Sequence, residues 1–385
     1  MEGSMAVSRK SFLRVLGGGI VVAVGAAVAV PRLDAMPAVA VEGWKGPGPA
    51  ETDPRRRALA WALLAPNPHN LQSWSVDLSQ PDAISLFVDR ARLLPQTDPF
   101  SRQILIGHGC FLEILTMAAA AAGYRADVTL FPAGDWALDR PVARIVFAKQ
   151  AGIAVDPLFA EVPRRRTVKA KFEARALDPA HKTALLAGYG AAALPLTIVD
   201  EPGKVERLRT LAIAGSELEM NTVRTHKESI DVVRIGAADI AAHRDGISLK
   251  GPMIWALRQT GQMTPEKAMT PGTAAWNGGR DYALAGYASS RAFGWIASAD
   301  NARTTQIAVG RAFVRLQLAA TALGVALQPH SQTLQEYPEM AELRAAMHRE
   351  TGTPAPATLQ MFFRLGYAGD PGPSPRRALN SFVTV

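Results

Sequence analysis

The chain has a single cysteine, Cys110, which excludes an internal disulfide and every zinc site built on cysteine pairs. Cys110 lies in an apolar run of helical spacing, where a thiol packs as a small inert hydrophobe. Also missing are Gly-x-Ser-x-Gly, His-Glu-x-x-His, the phosphate-binding P-loop and Cys-x-x-Cys, so hydrolase and metal chemistry lack their usual signals. Asp98, Glu113, Asp281 and Asp300 have no paired context and read as capping or surface residues. No stripe of basic residues interleaved with aromatics is present, which argues against nucleic acid as a partner. No segment after residue 40 reads as a membrane span.

What is present is basic and globular. The net charge of +8 over 385 residues with 48% hydrophobic content fits two ordinary domains or one fold of two similar halves. The arginines are scattered, with short clusters at Arg55 to Arg57, Arg164 to Arg166 and Arg376–Arg377. Clusters of that size suit one phosphate better than a duplex.

The amino terminus has signal-peptide anatomy: Arg9, Lys10 and Arg14, an uncharged run from Val15 to Val30, then small residues at Ala38 and Ala40. Ser8-Arg9-Lys10-Ser11-Phe12-Leu13-Arg14 is similar to the twin-arginine signal, with lysine in the second position. The expectation is a leader over 1–40, recognised by the export machinery, and a periplasmic or otherwise exported protein; an ordinary secretory signal is the alternative.

After a proline- and glycine-rich lead-in at 41–54, a helix is expected from about Pro54 to Leu64, followed by the polar stretch "APNPHNLQSW" and strand-like alternation in "WSVDL" and "ISLFVD". "GCFLEILTMAAAAAG" from Gly109 and "GRAFVRLQLAATALG" from Gly310 share end glycines and helical apolar spacing, and each is followed by a strand candidate, at 143–148 and 359–367. This repeat predicts two copies of one α+β unit, over 41–155 and 156–385. Residues 225–290 have no counterpart in the first copy and read as a helical lid insertion.

"RRRTVKAKF" places Arg165, Thr167 and Lys169 at alternate positions, so that an extended segment points two cations and a hydroxyl one way. Such a set holds a phosphate dianion. Asn70 and Gln72 have a second reading as residues that satisfy turn amides. His69 reads as a loop residue and Trp74 as a core anchor.

With these motifs in order, the chain resembles the nitroreductase family of FMN-dependent oxidoreductases, and within it the single-chain Acg-type members that fuse two nitroreductase units. "APNPHNLQSW" is similar to that family's P-S-x-x-N-x-Q-P-W loop, with Asn67 and Ser73 departing from it; "RRTVK" is similar to its R-x-[ST]-x-[RK] motif, and "RLGYAGDPGPSPRRAL" to its closing strand and basic contact. The resemblance covers roughly residues 55 to 385 and implies a nitroreductase-like α+β fold, an intrachain pseudo-dimer that is monomeric or assembles further. It implies that Arg165, Thr167 and Lys169 hold the FMN phosphate and ribityl chain with Arg376 or Arg377, and that Asn67, Asn70 and Gln72 approach from the other half. Pro329, His330 and Ser331 would lie along the flavin ring; Gly310 would permit close helix packing there, with Arg311 a further candidate. The asparagine loop occurs only in the first half and the phosphate motifs only in the second, which predicts one FMN between the halves. Electron transfer to or from a small nitroaromatic- or quinone-like molecule, from an unidentified donor, is the implied activity. Sequestration of FMN beneath the lid is the alternative.

Overall fold

Two sheets with the same strand order carry the fold. In the computed structural model, which describes residues 34–191 and 193–384, the first half contains α1 (Pro54–Ala62), β1 (Trp74–Asp77), β2 (Ala83–Val88), α2 (Arg102–Ala121), β3 (Tyr124–Leu130) and β4 (Ala143–Lys149). Asp53 caps α1 by accepting from the Arg55 amide, with Pro54 in the first turn. The Asp98 carboxylate caps α2 by accepting from the Gln103 and Ile104 amides at 3.1 and 3.0 Å.

The second half opens with α3 (Pro179–Gly188) and β5 (Leu196–Val199). An insertion then carries α4 (Pro202–Asn221), α5 (Val223–Asp231), β6 (Val233–Ile235), α6 (Ala237–His243), β7 (Ile247–Leu249), α7 (Pro252–Gln259), α8 (Pro265–Met269) and α9 (Ala274–Ala288). The unit resumes with β8 (Ala292–Ser298), α10 (Arg303–Ala322), β9 (Ala326–Pro329), α11 (Ala341–Thr351) and β10 (Thr358–Gly366), and the chain ends in β11 (Val383–Thr384).

The first sheet runs β11-β1-β2-β4-β3 and the second β5-β8-β10-β9. Matched by chain order, β1, β2, β3 and β4 correspond to β5, β8, β9 and β10, and α2 corresponds to α10. Every pairing within these two sets is antiparallel. The exception is β11, which leaves the second half to lie parallel against β1, with Val383 opposite Val76. The chain end thus ties one half to the other.

The seam between the halves is the pair α2 and α10. A Cβ on Gly109 would stand 2.1 Å from the Ile307 carbonyl oxygen, and one on Gly310 would stand 1.9 Å from that of Ile106. Each glycine therefore meets the residue three before the other, the reciprocal contact expected of a two-fold interface. α2 is long and apolar enough to cross a bilayer, which the sequence reading did not admit after residue 40; here it is a core helix, buried over 83% of that stretch. Cys110 donates to the Gly310 carbonyl at 3.1 Å, and burial pushes its thiol up to about 12.

Two boundaries differ from expectation. The insertion joins β5 to β8, so it spans 200–291 rather than starting near 225; the matching β1–β2 connection is only residues 78–82. The leader motif at Ser8 to Arg14 lies outside the described residues, but the boundary drawn at residue 40 falls inside a packed segment. Ala40 is fully buried, and its carbonyl accepts from the Arg376 amide at 2.7 Å.

Candidate functional site

The polar loop after α1 is held by its own amides. Asn67 Oδ1 accepts from the Gln72 amide at 2.7 Å, and Asn67 Nδ2 donates to the Ala65 carbonyl at 3.1 Å. His69, Asn70 and Gln72 all take left-handed backbone angles, with φ of 48°, 56° and 54°. Three such non-glycine residues within four positions cost energy that surrounding contacts must offset.

Those contacts come from the far end of the chain and from the insertion. Asn70 Oδ1 accepts from Arg376 at 2.6 Å, and its Nδ2 donates to the Pro375 carbonyl at 3.1 Å. Gln72 is fully buried; its Oε1 accepts from the Arg377 amide at 2.8 Å and its carbonyl from the Arg377 guanidinium at 3.0 Å. From the insertion, the Arg244 carbonyl accepts from Gln72 Nε2 at 3.0 Å, and the Gly246 amide donates to the Asn70 carbonyl at 3.1 Å. Asn67 is the side chain that satisfies a turn amide; those of Asn70 and Gln72, for which that role is the alternative, reach mainly out of the turn to the closing arginines and the insertion.

"RRRTVK" is irregular rather than a strand, so strict alternation does not hold. Arg165 and Thr167 converge instead on one helix side chain: Gln317 Oε1 accepts from Arg165 at 3.1 Å, and Gln317 Nε2 reaches Thr167 Oγ1 at 3.3 Å and the Arg166 carbonyl at 3.1 Å. Arg165 and Arg376 both donate to the Leu64 carbonyl, at 2.9 and 3.1 Å. The two phosphate motifs and the asparagine loop therefore meet around one carbonyl group.

Three guanidiniums, of Arg165, Arg166 and Arg376, surround the ring of Trp44, with centroid distances of 5.8, 4.4 and 5.0 Å. Arg165 and Arg376 are each 2% exposed. Among the described residues, the only carboxylate in ion-pair range of the three is the exposed Asp370, 3.5 Å from Arg166, and Nε of all three arginines has no hydrogen-bond partner. Burial depresses Arg376 well below its ordinary range, and Arg165 and Arg166 add to the shift; burial also lowers Arg165, to about 10. Buried cations without counter-charge are costly, so a bound anion would stabilise this cluster.

The Lys169 ammonium makes no hydrogen bond or ion pair among the described residues, and burial lowers it although the residue keeps accessible surface. A group that is both desolvated and accessible lines a recess. His69 lies within reach of that charge: burial first, then the Lys169 ammonium, lowers its imidazole to about 4, and its Nδ1 is unpartnered among the described residues.

Arg364, on β10, joins this region to β9. It donates to Gln328 Oε1 at 2.8 Å and to the Lys169 and Ala170 carbonyls at 3.0 and 2.7 Å, and it also bonds the Gly286 carbonyl of α9. Beyond Gln328, Pro329 ends β9 and Ser331 begins the next turn. His330, 5% exposed, stacks on Tyr287 at 4.1 Å, and its Nε2 has no partner among the described residues. Gly310 is apart from this group, at the helix seam, and Arg311 pairs with Glu113 at 2.7 Å. Neither meets the cationic cluster.

Three residues of the site escaped sequence reasoning: Trp44, Gln317 and Arg364. Each left a signal, namely an aromatic in a proline-glycine lead-in, an amide in an apolar helix, and an arginine in a strand buried along nearly its whole length. Two surface recesses, of about 430 Å³ near Ala120–Gly123 and about 440 Å³ near Ser298–Asp300, are lined by none of the cluster residues.

The insertion closes over the loop through Asp245, 1% exposed, which pairs with Arg92 of the first half and with Arg234 at 2.8 Å.

No protein-family model matches the chain. It is 26% identical over 372 residues, 89% of this chain and 96% of the relative, to the protein named "Putative NAD(P)H nitroreductase Rv3131" of Mycobacterium tuberculosis. It is 38% identical over 81 residues to "Putative NAD(P)H nitroreductase acg" of the same species. That second match spans 21% of this chain and about a quarter, 24%, of the relative's length. Among solved structures, the FMN-dependent nitroreductase NfnB from Mycobacterium smegmatis, in complex with NADPH, aligns at 16% identity over 58% of this chain and 96% of that one, with a TM-score of 0.38.

Proposed function

We propose that this chain, a homologue along nearly its whole length of a nitroreductase-named protein, is an FMN-dependent oxidoreductase that binds one FMN where its two halves meet. The observation that carries the reading is the buried guanidinium cluster with one exposed counter-ion. A phosphate dianion supplies the charge and the acceptors that three orphaned Nε–H groups lack, so the residues present fit the group.

In this reading Arg165, Arg166 and Arg376 hold the phosphate, and Gln317 fixes the Arg165–Thr167 turn against α10. Lys169 and His69 wall the recess beyond. Arg364 binds the carbonyls on either side of this segment, so the Lys169 ammonium keeps its donors for a ligand. His69, lowered to about 4, is neutral at pH 7 and offers an acceptor or donor without charge. When bound, FMN supplies two-electron transfer at its ring; the protein supplies position and electrostatics. Nitroaromatic- or quinone-like molecules are the substrate class.

Purified protein should be yellow, with about one FMN per chain; a colourless protein that cannot be reconstituted with FMN would remove this reading.

The lid supports a second reading, sequestration of FMN. Arg244 and Gly246 bind the first-half loop directly and Asp245 binds Arg92 beside it, contacts that favour a lid that stays shut. Stopped-flow reduction by NADPH, NADH and a small low-potential dye separates the two readings. Turnover with any of them supports the enzyme; a flavin that none of them reduces supports storage.

Export is also part of the proposal, supported by Arg9, Lys10 and the apolar run that follows. An exported enzyme needs a donor other than cytoplasmic NAD(P)H. A reporter fusion carrying Arg9→Lys tests the route, since unaffected export would point to the general secretory pathway.

A further inference from the structure

We propose that the lead-in segment from Asp34 to Gly46 is a working part of the phosphate site, with Trp44 as the residue that positions the Arg165, Arg166 and Arg376 guanidiniums. The proposal rests on the reading that an FMN phosphate occupies this cluster.

The segment is fitted to the site rather than draped beside it. Asp34 anchors one end on the insertion: its carboxylate accepts from the Ala237 amide at 2.6 Å and its carbonyl from the Gly251 amide at 3.2 Å. The Ala40 carbonyl then takes the Arg376 amide at 2.7 Å. At Gly43 an added Cβ would lie 2.9 Å from Leu63 Cδ1 and 3.3 Å from Arg376 Cβ, so the backbone passes directly over both. Trp44 Nε1 donates to the Ser374 carbonyl at 2.7 Å, which fixes the indole plane against the closing basic turn.

That plane does two things for the arginines. The negative face of the ring offsets part of the repulsion among three clustered cations. It also restricts long side chains that would otherwise lose rotamer freedom when an anion arrives, so their ordering cost is met before binding. Both effects act on the phosphate alone. A ligand with the same ring system and no phosphate should not register them.

The test uses the full chain, with FMN and riboflavin as probes. Trp44→Leu keeps apolar bulk without a π face, and Trp44→Phe keeps the face without the indole N–H. Trp44→Leu should weaken FMN binding and speed its release by about tenfold, while Trp44→Phe stays within about threefold of the parent. Riboflavin affinity should be unchanged in both. Equal losses for FMN and riboflavin, or Leu and Phe variants that behave alike, would overturn the proposal and leave the FMN reading standing. A parent protein that takes up no FMN would overturn both. Melting of the flavin-free variants checks that each is folded.

Discussion

The arginines at the start of α1 and the cluster of Arg165, Arg166 and Arg376 around Trp44 end in opposite states. In the first half Arg55 pairs with Asp53 at 2.8 Å and Arg56 with Glu51 at 2.7 Å, while Arg57 donates to the Glu51 carbonyl. In the second half Arg165, Arg166 and Arg376 are packed together with one exposed carboxylate near them. The sheets have the same strand order and the helix seam is reciprocal, so architecture does not separate the halves. Charge compensation does. One copy neutralises its cations with its own carboxylates and the other does not; under the proposed function, that difference gives a symmetric fold a single site.

The largest effect should come from breaking the symmetry itself. Gly310→Val puts a branched side chain where even a Cβ would stand 1.9 Å from a backbone oxygen, and Gly109→Val does the same at 2.1 Å. Each should cost about 3 kcal/mol or more, because a rigid helix pair cannot yield locally. Thermal or urea unfolding should show similar losses for the two variants. A mild effect at one glycine only would mean that the seam is not the shared element.

Next is the charge comparison. Arg165→Ala should weaken FMN binding about 100-fold, the worth of two charge-assisted bonds. Arg55→Ala should leave FMN affinity within about twofold and cost stability instead, since Arg55 also serves the Leu78, Gln80 and Ala83 carbonyls. Titration of flavin-free protein with FMN checks both, and a large Arg55 effect on binding would sink the one-site account.

Much of this contrast was legible in the sequence, because periodicity and turn chemistry are local. The two long helices, α1 and the strands after them follow from apolar spacing, although α1 ends at Ala62 rather than Leu64 and the long helices begin at Arg102 and Arg303, ahead of the glycines that open the repeat. The asparagine loop and both basic motifs were visible as residue types. What was not legible depended on the path of the chain. Trp44 reads as part of a linker until the fold brings Ser374 and Arg376 to it. The insertion begins earlier than expected because α4, whose buried face mixes Val205 and Leu208 with Ser216 and Glu219, gives no sign that the first half has only residues 78–82 at the same point. Gly310 was expected to permit close helix packing beside the flavin; the close packing is there, against Gly109 at the seam, and only the fold could say which helix it meets.

The insertion is the second asymmetry between the halves, and Asp245 is where it grips the other half. Asp245→Asn removes the charge between Arg92 and Arg234 and should loosen the lid by about 2 kcal/mol. Hydrogen exchange across 237–249 should rise while the global unfolding midpoint moves little. Reduction of bound flavin by an external dye should quicken in parallel. Unchanged exchange would show that the bonds from the Gly246 amide and the Gln72 side chain close the lid unaided.

The smallest effect concerns pH, and it too separates the halves' contributions to the recess. His69, from the first half, has its folded pKa lowered to about 4 by burial and by Lys169 from the second. Below its unfolded value of about 6.5 the unfolded chain binds a proton that the folded chain refuses. Stability therefore falls as pH drops from about 6.5 toward 4, by roughly 1 to 2 kcal/mol for a ring that keeps some solvent contact. His108 and His330, both lowered by burial, push the same way, so the slope should not vanish in His69→Gln but should lessen. Urea unfolding at pH 7 and pH 5 gives the difference. Adding Lys169→Met to the parent should raise the His69 pKa and flatten the profile in part, because the ammonium adds to what burial already costs the protonated ring. A Lys169→Met profile no flatter than the parent's would mean that burial alone sets His69, and that the two halves meet at this recess without speaking electrostatically.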